Sequence, residues 1–215
     1  MCNFYNNSSY SVKVERDGNP LISACKFHDL TSPAIESVLS ARGKVERCNF
    51  KSVQICALVS DESVTTFETC TFEEGCSTAF LFHDKGGGSV VDCAMFNCSS
   101  DAIQVSEGST PQISRCTIDG AQGAGICYSG GSGGSLNSCV IKACKGPCVV
   151  VQSLADPTVT ENSLQGSHDS GVLVLEEGKG NFSQNNITGN VMAGVSVCSG
   201  GNPCFGSNSI SGNSS

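Results

Sequence analysis

The sequence predicts an all-β chain that folds as one right-handed parallel β-helix of about nine coils, each with about 23 residues and three short strands. Two observations predict this solenoid. A column of cysteine and asparagine residues recurs at a nearly constant interval along the whole chain. Large apolar residues also recur at three fixed offsets from that column. A repeat that buries its apolar residues only against neighbouring repeats is typical of stacked coils.

The recurring column, called here the reference ladder, marks one bend of the coil. Its spacing is constant except from Cys48 to Cys70, where the step is one residue shorter; we call this the short coil. Asparagines stack at such bends through their amides, and cysteine fills a similar volume as a small hydrophobe. We therefore expect free structural thiols here, with no metal site and no cofactor. The ladder contains Cys2, Cys25, Cys48, Cys70, Cys93, Cys116, Cys139, Asn162, Asn185 and Asn208.

The three strands of each coil are predicted from the apolar offsets. Large apolar residues stand two residues after the reference ladder, ten residues after it, and three residues before the next ladder residue. Stacked parallel strands lie about 4.8 Å apart, so each inward position meets its own equivalent above and below. Each column therefore keeps one type of residue. The ten-residue column is expected to contain Val12, Ile35, Leu58, Phe80, Ile103, Ile126, Val149, Val172 and Val195.

Charge and composition indicate which classes of partner the chain can bind and in which cellular compartment it is expected. The net charge is −8, and the 12 Lys and Arg residues are spread along the chain. Nucleic-acid binding and membrane binding are therefore not expected, because both need clustered basic residues. No apolar run is long enough for a membrane helix, and the N-terminus lacks the pattern of a signal peptide. With 15 cysteines expected to be reduced, we predict an intracellular, cytoplasmic location.

Residues 1–215 are expected to form a single domain that is a segment of a larger protein. Both Met1 and Ser215 fall in the middle of a coil, and neither end shows a capping helix. Coils without caps expose unpaired strand edges. End-to-end self-association is therefore an alternative expectation.

The turn segments resemble the parallel β-helix repeats of the pectin lyase-like superfamily. The resemblance implies the fold over the whole chain. Its nearest likeness is to the modules of polysaccharide-active enzymes, of periplasmic copper-site maturation factors, and of F-box and SH2-binding adaptor proteins. It leaves the function open, because one fold carries many activities. The segments that carry the resemblance are Gly18-Asn19-Pro20-Leu21-Ile22, Ser109-Thr110-Pro111-Gln112-Ile113 and the run from Ala193 to Pro203.

An enzymatic alternative follows from this resemblance. In enzymes of the superfamily the active groove lies along one sheet, which corresponds here to the sheet with the ten-residue column. Its outward residues are expected to include Glu36, Asp61 and His83, with Asp61 and His83 one strand spacing apart. Carboxylates beside a histidine can do acid–base work on a sugar. The coils are too uniform in length to build a walled cleft, so we favour solvated charges and no catalytic site.

The binding hypothesis rests on apolar residues at outward positions of the same sheet. Val59, Leu81, Val150 and Leu173 follow the ten-residue column by one position, and Leu175 lies in the neighbouring outward column. A contiguous exposed apolar surface usually marks an interaction site. The sequence therefore predicts a non-catalytic binding or scaffold module that presents this sheet to a protein partner. A carbohydrate-active enzyme or a carbohydrate-binding domain, with a glycan as the ligand, is the alternative.

Overall fold

The computed structural model describes residues 1–214 as 28 short strands in three parallel sheets. Each strand pairs with the strand three places later, so one strand of every sheet belongs to each coil. The predicted parallel β-helix with three strands per coil is confirmed. Within residues 1–214 no helix is long and apolar enough to cross a membrane.

Sheet A has ten strands and follows the reference ladder in each coil. Its strands are β1 (Asn3–Tyr5), β4 (Lys26–Leu30), β7 (Asn49–Val53), β10 (Thr71–Phe72), β13 (Ala94–Phe96), β16 (Thr117–Asp119), β19 (Val140–Lys142), β22 (Ser163–Gln165), β25 (Asn186–Thr188) and β28 (Ser209–Ser211).

Sheet B has nine strands and carries the ten-residue column. Its strands are β2 (Val12–Glu15), β5 (Ile35–Val38), β8 (Ile55–Val59), β11 (Thr78–Phe82), β14 (Ile103–Val105), β17 (Ile126–Tyr128), β20 (Val149–Val151), β23 (Val172–Val174) and β26 (Val195–Val197).

Sheet C also has nine strands and precedes the reference ladder. Its strands are β3 (Leu21–Ser23), β6 (Arg42–Glu46), β9 (Val64–Glu68), β12 (Gly87–Val91), β15 (Gln112–Ser114), β18 (Ser135–Asn137), β21 (Thr158–Thr160), β24 (Asn181–Ser183) and β27 (Cys204–Gly206).

Aromatic stacking shows how the in-register coils build the core. In sheet A, four phenylalanines on successive strands pair one with the next: Phe4, Phe27, Phe50 and Phe72. Their rings stack with centroids 4.7–4.9 Å apart and planes within 7° of parallel. The spacing matches the distance between neighbouring strands, because the backbone register holds each ring directly over the next. The core is therefore a set of columns that run along the helix axis.

Hydrogen bonds along the reference ladder explain why cysteine and asparagine share one position. The backbone N–H of Cys116 donates to Cys139 Sγ at 3.3 Å, and the N–H of Cys139 donates to Asn162 Oδ1 at 2.9 Å. The N–H of Asn162 then donates to Asn185 Oδ1 at 3.0 Å. Six ladder residues thus accept a buried N–H of the preceding coil, which a purely apolar residue cannot do. They are Cys48, Cys93, Cys139, Asn162, Asn185 and Asn208.

A second ladder lies at the bend between sheets A and B, and the sequence analysis missed it. Here Asn190 Oδ1 accepts the backbone N–H of Ser167 at 3.0 Å, and Asn213 Oδ1 accepts that of Asn190 at 3.0 Å. Buried Cys98 and Cys144 precede them in the same phase of the repeat. The sequence did contain a signal for this second ladder, because Asn190 and Asn213 are one repeat apart.

The short coil shifts the predicted register of sheet B by one residue. Val53 still pairs with Leu30 at the regular interval of the repeat, but Ala57 pairs with Ile35 at an interval one residue shorter. The missing residue therefore lies between Val53 and Ala57, at the start of β8. Ala57 takes the inward place that the sequence analysis gave to Leu58.

The shift corrects one predicted site residue. Val59 has 0% of its surface exposed, so the expectation that it faces solvent is wrong. It pairs with Phe82, which is also buried. Leu58 pairs with Glu36 on one side and Leu81 on the other, and it takes the outward position instead.

The burial of the thiols predicts how they react. All 15 cysteines are free; Cys2, Cys198 and Cys204 are exposed, Cys127 is partly buried and the rest are buried. Titration of the native protein with a thiol reagent is expected to modify three cysteines rapidly and Cys127 slowly. All of them should react after denaturation. Rapid modification of most thiols in the native protein would contradict this packing.

Candidate functional site

The outward face of sheet B is lined by one continuous column of side chains, called here the central column. Neighbouring members pair directly in the sheet. Residues on either side of each member point inward, because successive side chains of a strand alternate between its two faces. In order the column contains Lys13, Glu36, Leu58, Leu81, Gln104, Cys127, Val150, Leu173 and Ser196.

The apolar members of the central column form two patches. Leu58 and Leu81 are adjacent and partly exposed; we call them the first apolar patch. Val150 and Leu173 are also adjacent, and together with Leu175 they form the second apolar patch. Val150 is only 8% exposed, so Leu173 and Leu175 present most of this patch to solvent. The surface that the sequence analysis expected to be contiguous is therefore interrupted.

A shallow polar depression of about 240 Å³ lies between the two patches. Asp101 is fixed at its edge, since Oδ1 accepts the backbone N–H of Ala124 at 2.7 Å and Oδ2 accepts from Gln104 Nε2 at 3.3 Å. Sequence reasoning missed this site, although polar residues at successive outward positions were its signal. The depression is lined by Asp101, Gln104, Ser106, Cys127, Ser129 and Gln152.

The thiol in the depression is poorly suited to nucleophilic chemistry. Burial raises the pKa of Cys127 to about 12, and the negative charge of Asp101 adds to the increase. A thiol with this pKa stays protonated at neutral pH, whereas thiol chemistry uses the thiolate. The depression therefore offers hydroxyl, amide, thiol and carboxylate groups suited to hydrogen bonding.

The three residues of the enzymatic alternative do not converge. Glu36 lies in the central column with 8% of its surface exposed, and its Oε2 is 3.7 Å from Lys13 Nζ. His83 Nδ1 is 3.8 Å from Glu107 Oε2. Asp61 lies in a turn, beyond the end of β8.

The expected pairing of Asp61 with His83 is also wrong by one residue. The N–H of His83 donates to Val59 O, and the N–H of Glu62 donates to Asp84 O. Asp61 therefore lies next to Asp84, because the short coil moved the register at the start of β8.

A ridge of tight turns borders the exposed face of sheet B. In most coils two successive residues after the sheet B strand have positive φ, as at Asp61 (52°) and Glu62 (59°). We call these residues the turn ridge. Lys85 Nζ lies 3.4 Å from Glu62 Oε1 and forms an ion pair with it. The ridge between β8 and β26 carries the carboxylates Asp61, Glu62, Asp84, Glu107, Glu176 and Glu177.

The described part of the chain does not bring three or more His, Cys, Asp or Glu side chains together in a cluster that could hold a metal ion. The carboxylates of the turn ridge are distributed along the axis.

Comparison with solved structures shows the same architecture in other proteins. The A-module of the mannuronan C-5 epimerase AlgE4 of Azotobacter vinelandii is 10% identical, with a TM-score of 0.59 over 89% of this chain and 64% of the module. The chain thus spans less than two thirds of that module, and at this identity the likeness shows the fold alone. A hyper-glycosylated TibA fragment is 12% identical over 97% of this chain and all of its own, with a TM-score of 0.19, too low to indicate a shared fold.

The sequence comparisons point to one family. No curated protein matches the sequence. Residues 1–153 match the family model described as a right handed beta helix region. This match covers most of the chain and agrees with the three parallel sheets of the structure. The chain therefore belongs to the right-handed β-helix family, which is consistent with the pectin lyase-like superfamily.

Proposed function

We propose that this chain is a non-catalytic binding module that presents the outward face of sheet B to a protein partner. The observation that carries the proposal is the pair of apolar patches on the outward face of one sheet. Leu58, Leu81, Leu173 and Leu175 are held in place by the in-register strands beneath them and remain partly open to solvent.

The rigidity of the face supports a binding role. Each strand of sheet B pairs on both sides except at the two ends of the solenoid. A partner that docks there loses little free energy to ordering this surface, because the surface is already ordered. Partly buried apolar side chains beside polar groups are also the usual composition of a protein interface.

A pull-down comparison tests the proposal. Leu81→Lys is expected to abolish capture of the partner, because it places an ammonium group in the first apolar patch. Leu21→Lys is the matched control: Leu21 is 65% exposed on sheet C, away from the face. Proteins from the source cells that wild type and Leu21→Lys retain, and Leu81→Lys does not, are the expected result. Equal retention by all three proteins would contradict the proposal.

The polar depression favours carbohydrate binding as a second candidate function. Gln104, Ser129 and Gln152 present hydroxyl and amide groups that suit the hydroxyls of a sugar, and Asp101 supplies an acceptor. The epimerase with the related fold acts on mannuronan. Isothermal titration with oligosaccharides tests this candidate: binding that Gln152→Ala removes and Leu81→Lys retains would favour it over the protein partner.

A further inference from the structure

The charge beside the two apolar patches restricts the kind of partner that fits, and this inference rests on the function proposed above. We propose that the docking surface of the partner protein is basic. It carries lysine or arginine residues next to the apolar side chains that contact the patches, and these cations face the carboxylates of the turn ridge.

An acidic stretch of the turn ridge lies beside the first apolar patch. Asp61 follows Leu58 by three residues, and Asp84 follows Leu81 by three residues. Glu107 continues the stretch in the next coil. Three residues of extended chain span at most about 10 Å, which is about one Debye length at roughly 0.1 M salt. A partner that contacts the patch therefore brings its own charges within reach of these carboxylates.

The same arrangement recurs at the second apolar patch. Leu175 is followed directly by Glu176 and Glu177, and both glutamates are exposed. Between the two acidic stretches the ridge carries no charge, since its positions there include Gly130 and Ser153. Negative charge on the ridge thus lies beside both patches, as expected if one basic surface contacts both.

The bends between sheets C and A show that this acidic excess is local. Between β8 and β26 the turn ridge carries six carboxylates and one lysine, and that lysine is ion-paired with Glu62. As far as the structure describes the bends between sheets C and A, their charges cancel. The charged residues there are Arg47, Asp92, Arg115 and Glu161. The negative charge is therefore concentrated on the side of the solenoid that borders the proposed binding face.

A basic surface gains from this arrangement, whereas other partners are repelled. Complementary charge speeds association, and like charges placed together at an interface are unfavourable. A second copy of the chain would bring a further net charge of −8 to the contact. An anionic lipid surface would bring negative headgroups. The acidic ridge therefore favours a basic protein over a second copy, an acidic protein or a membrane.

Binding of defined peptides to the full chain, measured by fluorescence anisotropy, tests the inference. The peptides have equal length and contain leucine with arginine, leucine with glutamate, leucine with serine, or serine with arginine. We expect the leucine–arginine peptide to bind at least about tenfold more tightly than the leucine–glutamate peptide. Raising the salt from about 0.1 M to about 1 M should remove this preference, because the Debye length falls from about 10 Å to about 3 Å.

Two double variants with the same net charge locate the contact. Asp61→Asn with Asp84→Asn removes two carboxylates from the ridge, and asparagine suits the positive φ of both positions. Asp92→Asn with Glu161→Gln removes two carboxylates from the bends between sheets C and A. We expect the ridge variant to bind the leucine–arginine peptide about threefold to tenfold more weakly than wild type. The control variant should bind it as wild type does.

The outcomes separate this inference from the proposed function. The inference is overturned if the leucine–arginine peptide does not bind, or if the leucine–glutamate or serine–arginine peptide binds equally well. Equal weakening by the two double variants would also overturn it, because the effect would then come from net charge alone. If Leu81→Lys still loses its partner in the pull-down, the proposed function survives that failure. If the pull-down partner is retained as well, both fail.

Discussion

Replacing Asn185 by alanine is expected to lower the free energy of unfolding by about 2–6 kcal/mol. Asn185 is 1% exposed; its Oδ1 accepts the N–H of Asn162 at 3.0 Å, and its Nδ2 donates to Val159 O at 2.9 Å. Alanine leaves both backbone groups buried without these partners, and each such group costs about 1–3 kcal/mol. Equilibrium unfolding in urea measures the loss.

Asn185→Cys is the matched control for the alanine variant. At the equivalent position Cys139 accepts the N–H of Cys116 at 3.3 Å and donates its thiol to Asn137 O at 3.3 Å. Cysteine at residue 185 can accept the N–H of Asn162 and donate to Ser183 O, so only Val159 O loses its donor. We therefore expect a smaller loss than for alanine, of about 1–3 kcal/mol. Equal stability of the two variants would contradict a hydrogen-bonding role for the ladder.

Replacing Phe50 by alanine is expected to destabilise the protein by about 3–5 kcal/mol. Phe50 has no exposed surface, and its ring lies 4.9 Å from that of Phe27 and 4.7 Å from that of Phe72. Its loss opens a cavity within the column, which neighbouring coils cannot close because their register is set by backbone pairing. The unfolding midpoint in guanidinium chloride reports the change.

A partly exposed phenylalanine elsewhere in the solenoid provides a control for the buried Phe50. Phe205→Ala removes an aromatic residue that is 36% exposed and stacks on Phe182 at 4.9 Å. Because part of that ring is already in water, we expect the smaller loss there. A larger loss for Phe205 than for Phe50 would contradict the interpretation of the columns as the source of stability.

Most of the fold was predictable because the stacked coils repeat the sequence pattern. A residue such as Phe27 meets its equivalents Phe4 and Phe50 in the structure, so a periodic column in the sequence becomes a physical column in the core. The second ladder was missed because only its last two positions, Asn190 and Asn213, are asparagines. The equivalent positions of the earlier repeats hold cysteine, alanine or serine.

The candidate site was predicted in part. Leu81 and Leu173 lie in the central column as expected, and Leu175 lies beside it. Val150 also lies in the column, but the expectation that it faces solvent is wrong, because it is only 8% exposed. Leu58, which the sequence analysis assigned to the core, takes the outward position expected for Val59. The polar depression was not predicted, because its lining comes from three coils whose outward residues have no apolar pattern to reveal them.

The repeat length, the three strands of each coil and the residue type of most inward columns could all be read from the sequence without coordinates. These properties follow from the strict stacking of parallel strands, in which each coil repeats the environment of the last. The position of the missing residue within the short coil could be read only from the folded chain. The spacing of the ladder gives the length of each coil, but it does not show where within the coil a residue is missing. That place sets which side of β8 faces solvent, and with it the first apolar patch and the separation of Asp61 from His83.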